Sequence, residues 1–391
     1  MTSRHSTSTG NAQAKPTVVI AGMGDTGVLV AIGLAKHARV VGVATRPALV
    51  SGQELGNRLA RPDHWRTNYF IDFRRFRRLD QVQMLHGRIT NVDAEQSTAR
   101  IELADGSVVS EPYDVLVIAS GVTNGFWRHG QVQSLQQVEC DMSSVAERLS
   151  SASSIAVVGG GATGVSAAIG LARKYPEKQI HLFHSGEEPI PNHPALARRW
   201  VVEQFEQAGV HQHQHHRADI APDFLGDALT TGPVRWSTGQ EPFEADITLW
   251  AIGRVRPNSG FLPTEMLDKS GFVRVDEHLR VPGYPNIFAV GDIAASDPAR
   301  SSARNWGSLV VVRNVRSLVR GRGSMRRFRA PENRWGSILG LQDDGMVVFQ
   351  PSGRSFRVPR WAVQPVLFRG FNQRVLYRGL RTSDSTSHTD R

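Results

Sequence analysis

One cysteine, Cys140, stands in 391 residues, and only five of the 46 basic residues are lysines (Lys15, Lys36, Lys174, Lys178, Lys269), leaving 41 arginines. A lone thiol excludes an internal disulfide, a Cys-x-x-Cys redox pair and a cysteine-rich zinc site, so any electron transfer runs without a dithiol. No uncharged apolar run approaches the ~18 residues of a membrane-spanning helix, and a membrane role is therefore expected to be peripheral. Residues 1–16 hold no acidic residue and no apolar stretch of the secretory-signal kind, and Thr2 excludes N-myristoylation. That segment and residues 382–391 read as disordered polar tails.

What is present is ordinary for a folded chain: 40% hydrophobic and 21% charged residues exclude wholesale disorder. The length suggests two to three domains. The net charge of +10 suggests acidic partners: anionic lipid, nucleic acid or phosphorylated ligands. The excess is concentrated. Between Arg320 and Arg381 stand 13 arginines and three acids (Glu332, Asp343, Asp344), so this segment carries the whole net charge and the remainder is balanced.

The hydropathy pattern is α/β. Val18 to Ala21 is a buried-strand run that stops at glycines, followed by a helix over Val28 to Ala35 and a strand over Val40 to Val43. Asp114 to Ala119 is another strand. The arrangement restarts at Ile155 to Val158, with a helix through Arg173 and a strand over Gln179 to Phe183. Further strands are expected at Asp246 to Ala251 and Asn286 to Val290. No short-period repeat is present, which excludes a solenoid.

Two glycine loops carry the chemistry. Gly22-Met23-Gly24-Asp25-Thr26-Gly27 lies between a strand and a helix, and Gly159, Gly161 and Gly164 repeat the same Gly-x-Gly-x-x-Gly spacing in the same context. The first glycine allows a tight turn, the second lets backbone approach a pyrophosphate, and the third allows close helix–strand packing. The helix start then presents unpaired N–H groups to the phosphates. One such loop is weak evidence; two, ~140 residues apart, point to two dinucleotides in one chain.

Three further segments give the order of the loops a meaning. Tyr113 to Gly121 resembles the strand-to-linker motif that leaves a first nucleotide domain in flavoproteins. Leu249 to Arg254 resembles the segment returning from an NAD(P) domain, and Asn286 to Asp292 resembles the late Gly-Asp motif that meets a flavin's ribityl chain. Together these resemble the two-dinucleotide flavoproteins that include glutathione reductase. Lys174 to Lys178, His181 to Ser185 and Val273 to Leu279 narrow the likeness to the ferroptosis suppressor and apoptosis-inducing-factor-like NAD(P)H:quinone oxidoreductases, with type II NADH dehydrogenases next.

The resemblance implies two Rossmann-like dinucleotide-binding domains, the FAD domain (17–124 and 254–325) split around an inserted NAD(P) domain (125–253), plus a small basic C-terminal α+β module (326–381). It places FAD on Gly22, Met23, Gly24, Asp25, Thr26, Gly27, Arg58, Ile89, Gly121, Gly291 and Asp292. It places NAD(P)H on Gly159, Gly161, Gly164, His184 and Gly253. Hydride would pass from nicotinamide to flavin, and electrons then to a quinone or other small acceptor; a ferredoxin-like protein acceptor, and a flavin-bound interaction protein with vestigial activity, stand as alternatives. A helix from near Ser301 to Val319 would aim its N-terminus at the flavin.

Two departures stand out. The acid that normally ends the second FAD strand is replaced by Ala44 or Thr45, followed by Arg46. Where relatives read Gly-Val-Glu after the second loop, this chain reads Gly164-Val165-Ser166, and restoring a glutamate is expected to speed reduction if the missing acid limits it. His184 in place of an acid leans the co-substrate toward NADPH, although Glu187 and Glu188 follow closely. His211, His213 and His215 would share one strand face at metal-binding spacing, but an ordinary strand is favoured and no metal site is assigned. Arg74, Arg75, Arg77 and Arg78 around Phe73 and Phe76 offer a lipid or nucleic-acid contact, with a solvated helix face over buried phenylalanines favoured. The C-terminal aromatics and arginines favour a packed module with a basic outer surface, leaving membrane contact and a homodimer interface open; nucleic acid is not expected. The chain is expected to be cytoplasmic, with contact at a membrane surface as the open question.

Overall fold

The computed structural model describes residues 15–52, 54–123, 130–297, 306–330 and 336–382. Strand β1 (Thr17–Ala21) is apolar because it is covered on both faces. Helix α1 (Asp25–Leu34) follows and returns the chain to β2 (Arg39–Ala44), parallel to β1 with Val18 opposite Val40. A short ribbon of β3 (Ala48–Val50) and β4 (Phe70–Asp72) brackets helices α2 (Leu55–Ala60) and α3 (Pro62–Tyr69). The long strand β5 (Val82–Asp93) runs beside β2 and then turns into an antiparallel meander with β6 (Thr98–Leu103) and β7 (Val108–Pro112). Strand β8 (Val115–Ile118) returns to the other side of β1, and β9 (Val122–Thr123) leads out.

Helix α4 (Leu135–Ser151) starts at a reciprocal cap between Ser134 and Gln137. It precedes a second unit of β10 (Ser154–Val158), α5 (Ala162–Lys174), β11 (Gln179–Phe183), α6 (Ala195–Ala208), β12 (His211–His213) and β13 (Ile247–Trp250). These four strands form a parallel sheet in the order β12-β11-β10-β13. Strand β14 (Arg256–Pro257) pairs with β9, so exit and return cross side by side. Strand β15 (Ile287–Ala289) then joins β8, completing a seven-stranded sheet, β15-β8-β1-β2-β5-β6-β7. Residues more than 160 apart therefore share that sheet, and helix α7 (Gly307–Val319) packs with α1 over its face through Val28, Val311 and Val315.

The C-terminal part is α+β. Strands β16 (Leu341–Gln342), β17 (Gly345–Phe349) and β18 (Ser355–Val358) form an antiparallel sheet. Helix α8 (Arg360–Ala362) continues into π-type winding from Val363 to Leu376. Val363 and Phe368 pack with Trp65 and Tyr69 of α3 and with Val138 and Met142 of α4. The α/β fold with Rossmann-like sheets expected from the sequence is the observed one.

Local differences have local causes. Helix α1 begins one turn before the expected Val28, because the glycine loop feeds directly into it. Helix α7 is described from Gly307, and the expected start near Ser301 lies outside the described residues, as does Trp335. The arginine-rich segment is two short 3-10 turns, Phe73–Arg75 and Arg77–Gln81, with Phe73 and Phe76 buried beneath the arginines. Strand β12 stops at His213 because the chain turns at His215, which has a φ of 58°. His215 therefore leaves the strand, and the three-histidine face does not form. Instead His181 Nδ1 and His213 Nε2 lie within hydrogen-bond distance at 3.0 Å, with His211 stacked on His181, Phe183 stacked on His213 and Phe243 tilted against His181. No group of three potential metal ligands is close enough to hold an ion among the described residues.

Burial, with repulsion from His211 and His213, lowers His181 to about 4, and burial lowers His213 as well. Unfolded histidines titrate near 6.5. Because these folded pKa values are depressed, the neutral pair stabilises the fold above that value and the contribution is lost as pH falls from about 6.5 toward 4. The melting temperature should drop between pH 7 and pH 5, and His181→Phe should flatten that dependence; equal slopes for both proteins would refute it.

Candidate dinucleotide sites

Both glycine loops have the same internal geometry. Gly22 has a φ of 104°, and a Cβ there would lie 2.6 Å from the Ala119 carbonyl oxygen. A Cβ on Gly27 would lie 1.9 Å from the Gly22 oxygen. In the second loop, Gly159 (φ 128°) abuts the Ala251 oxygen and Gly164 abuts the Gly159 oxygen, at 2.2 and 1.9 Å from their would-be Cβ atoms. Gly24 and Gly161 differ: nothing lies within 4 Å of a Cβ at either. These two glycines are the N-caps of α1 and α5, and neither helix has a side-chain cap. Each loop is thus a backbone cradle, open on the side where N–H groups and the helix dipole favour an anion. That geometry fits a dinucleotide pyrophosphate.

Around the first loop, the tertiary structure assembles residues from far along the chain. A Cβ on Gly291 (φ 87°) would touch Thr26 Oγ1 at 3.0 Å, so the Gly-Asp motif lies against the start of α1, with Asp292 buried. Gly121 (φ 66°) sits at the strand crossing, where its carbonyl oxygen accepts from Asn258 N at 3.1 Å and Thr123 Oγ1 donates to Asn258 Oδ1 at 2.9 Å. Met23 is buried under the loop, against Gly42. The Asp25 carboxylate accepts from Ser51 Oγ and Gly52 N at 2.6 and 2.9 Å, tying the loop after β3 to the helix start.

Arg58 on α2 is buried and stacks 5.1 Å from the Trp65 ring. Burial and repulsion from Arg46 lower its guanidinium to about 10, with Asp141 opposing the shift. At the end of β2 the register places His86, not Ile89, beside Ala44. Ile89 lies farther along β5, opposite Ile101. The missing acid of β2 has a neighbour that periodicity could not reveal: Gln133 N donates to Thr45 O at 2.8 Å, and Gln133 Nε2 donates to Asp141 Oδ2 at 2.6 Å. Asp141 reaches this region only through the placement of α4.

Around the second loop, His184 is buried against Gly160, whose would-be Cβ lies 2.6 Å from His184 Cβ. Burial lowers its pKa, so the ring is neutral near pH 7. Glu188 is engaged by Arg198 at 2.6 Å. Gly253 (φ 72°) makes a turn with open surroundings, and Arg254 Nη1 donates to the carbonyl oxygens of Ala221, Pro222 and Phe224.

Ser166 is not a bare position awaiting an acid. A Cβ on Gly56 would lie 2.0 Å from Ser166 Oγ and 2.7 Å from its carbonyl carbon, and a Cβ on Gly170 would lie 2.9 Å from Ala60 Cβ. Helices α2 and α5 thus cross at near backbone contact through Gly56, Ala60, Ser166 and Gly170. A second group missed by sequence reasoning is Glu54, a non-glycine residue at φ 49° that accepts from Asn57 Nδ2 at 2.7 Å and bonds Tyr69. Burial raises its pKa, and a Cβ on Gly340 would strike its carboxylate at 2.4 Å. The C-terminal module therefore closes directly over α2.

Comparison with known proteins agrees with this geometry. The description "pyridine nucleotide-disulphide oxidoreductase" matches residues 16–312. Oxidoreductase ptaL of Pestalotiopsis fici is 28% identical over 296 residues, covering 73% of this chain and 75% of its own length. Ferroptosis suppressor protein 1 of Homo sapiens is 27% identical over 221 residues, covering 54% of this chain and 58% of the relative. Curated relatives are thus matched over about half to three quarters of their length. The fold is shared with the sulfide:quinone oxidoreductase of Aquifex aeolicus, with a TM-score of 0.69 at 16% identity over 95% of this chain and 94% of that one. The chain belongs to the pyridine nucleotide-disulphide oxidoreductase family and is an FAD-dependent NAD(P)H oxidoreductase whose single cysteine leaves it without a redox disulfide.

Proposed function

We propose that the chain passes reducing equivalents from NAD(P)H to a quinone-like acceptor that it meets at an anionic membrane surface. The observation that carries this reading is the outer face of the C-terminal helix. Trp361 is 78% exposed, Val366 62%, Phe371 43% and Val375 64%, interleaved with Arg360, Arg369, Arg374 and Arg378. Large exposed apolar side chains bordered by arginines match an interfacial segment lying in a headgroup layer. No helix among the described residues is long and apolar enough to cross a membrane. Ferroptosis suppressor protein 1 is a relative by sequence, and the sulfide:quinone oxidoreductase supports the reading by fold alone.

In this reading the loop of Gly22 to Gly27 holds the FAD pyrophosphate on the start of α1, and Asp292 lies beside it. FAD, when bound, supplies hydride acceptance and onward electron transfer. The loop of Gly159 to Gly164 holds the NAD(P)H pyrophosphate on α5. The α2–α5 crossing fixes the two sites relative to each other, and the C-terminal module covers α2 and keeps water from that side. No side-chain nucleophile is required.

The test is an acceptor panel with vesicles. The flavin-loaded protein should reduce short-chain quinones faster than oxygen or a ferredoxin, and should float with vesicles containing anionic lipid but not with neutral ones. Trp361→Ser with Phe371→Ser should abolish flotation while leaving reduction of water-soluble quinones intact. Preference for a ferredoxin with no vesicle binding would replace this reading by the protein-acceptor one.

We further propose that neutral His184 admits both co-substrates and favours NADPH. An acid there would bond the ribose hydroxyls of NADH and repel the 2′-phosphate of NADPH. His184→Glu should lower kcat/KM for NADPH by about 10- to 100-fold while sparing NADH; an unchanged ratio would show that this position does not read the ribose.

A further inference from the structure

At the opposite end of α1 from its glycine loop, roughly 15 Å away by helix rise, a cavity of about 170 Å³ is lined by Leu34, Lys36, His37, Val315, Arg316 and Arg320. We propose that this cavity is a binding site for a phosphate-type anion, distinct from both dinucleotide sites. Lys36, Arg316 and Arg320 line it, and Arg378, just past the C-terminal helix, is close enough to act on His37. Among the described residues none of these four cations makes an ion pair or a side-chain hydrogen bond with an acid, while other arginines of the same fold, such as Arg39, Arg280 and Arg381, are paired.

The bland reading is that the cations complement the ends of α1 and α7, both of which terminate here. The magnitudes argue against that as the full account. Two helix C-termini together present about one negative charge. Their last carbonyls are already met by N–H groups: Leu34 O by His37 and Ala38, Arg316 O by Arg320, and Leu318 O by Gly321. Three unit charges on the walls and a fourth nearby outnumber that by about four to one. Burial, and then repulsion from Arg316, Arg320, Lys36 and Arg378, lowers the His37 pKa, and every charged group acting on it is positive. Lys36, Arg320 and Arg378 are exposed and Arg316 and His37 half-buried, so the cations converge on one concave, solvent-open site. Such a cluster favours a small multivalent anion that accepts several hydrogen bonds, and guanidinium forks suit phosphate geometry. A lipid phosphate monoester and a soluble phosphate ester share that chemistry.

The experiment follows the His37 ring by NMR in full-length, flavin-loaded protein with labelled histidines, the signal being assigned with His37→Gln. Adding inorganic phosphate should raise the His37 pKa toward or above 6.5, because a bound anion stabilises the imidazolium, and should raise the melting temperature. Arg316→Gln with Arg320→Gln should weaken phosphate binding at least tenfold; the folded state of this variant is checked by its unchanged NADPH reduction rate, and Lys36→Gln gives an independent second variant. Vesicles containing phosphatidic acid, compared with phosphatidylserine at equal charge, separate the two sources. Stronger arginine-dependent binding to phosphatidic acid assigns a lipid headgroup, and a phosphate response without vesicle preference assigns a soluble ester. A His37 pKa that phosphate does not move in the parent protein, or that moves equally in the double variant, overturns the proposal.

Discussion

Gly164→Ala is expected to abolish reduction by NAD(P)H and to destabilise the protein by about 3 kcal/mol or more, because its Cβ would be driven 1.9 Å from the Gly159 oxygen, a backbone atom that cannot move alone. Gly27→Ala is expected to do the same at the first loop and to yield protein without flavin. Gly161→Ala and Gly24→Ala provide the contrast. Their methyl groups meet nothing within 4 Å, so thermal stability should change by less than about 1 kcal/mol. Those methyls would instead occupy the open side of each cradle, so Gly161→Ala should raise KM for NADPH and Gly24→Ala should weaken FAD retention. Thermal melts, flavin absorbance and stopped-flow reduction on the four variants read out both effects. If all four behave alike, the division between packing glycines and ligand-facing glycines is wrong.

The second large effect is expected at the α2–α5 crossing. Gly56→Ala forces a Cβ against Ser166 Oγ and its backbone, which should separate the helices and destabilise by about 1–3 kcal/mol. The consequence for catalysis is larger than for folding. In the proposed reading α5 begins at the NAD(P)H loop and α2 belongs to the FAD side, so spreading them would misplace hydride donor and acceptor; a shift near 1 Å can slow such a step about 100-fold. Flavin reduction by NADPH should slow by about 10- to 100-fold, and the long-wavelength absorbance of the stacked nicotinamide–flavin pair should weaken, while flavin content stays near that of the parent. Ser166→Glu should also slow reduction, reversing the expectation drawn from the sequence, because the acid must either open the crossing or turn outward to solvent. Faster reduction with Ser166→Glu would show that the missing charge, not the helix contact, is what limits the enzyme.

These two cases mark the division between what was legible in the sequence and what was not. The glycine loops are local: a strand, a turn with φ above +60° and a helix start are specified within ~15 residues. Their positions and the α/β class therefore follow from spacing and apolar runs alone. The histidine alternation was equally local, but its outcome depended on where β12 stopped, and the left-handed turn at His215 ended the face that alternation implied.

The sequence by itself determined two Gly-x-Gly-x-x-Gly loops between strand and helix, the absence of an internal dithiol and a basic charge excess confined to residues 320–381, since composition and short-range backbone preference need no partners. Only the tertiary structure decided what fills the positions left vacant by missing acids: Gly56 against Ser166, and Gln133 with Asp141 beside Thr45. It also decided that Gly291 rests on Thr26, that the C-terminal module closes over Glu54, and that Lys36, Arg316 and Arg320 surround one cavity. The reason is physical: such contacts join residues up to about 290 apart, and their identity depends on which helix faces meet, a quantity that neither periodicity nor local propensity encodes.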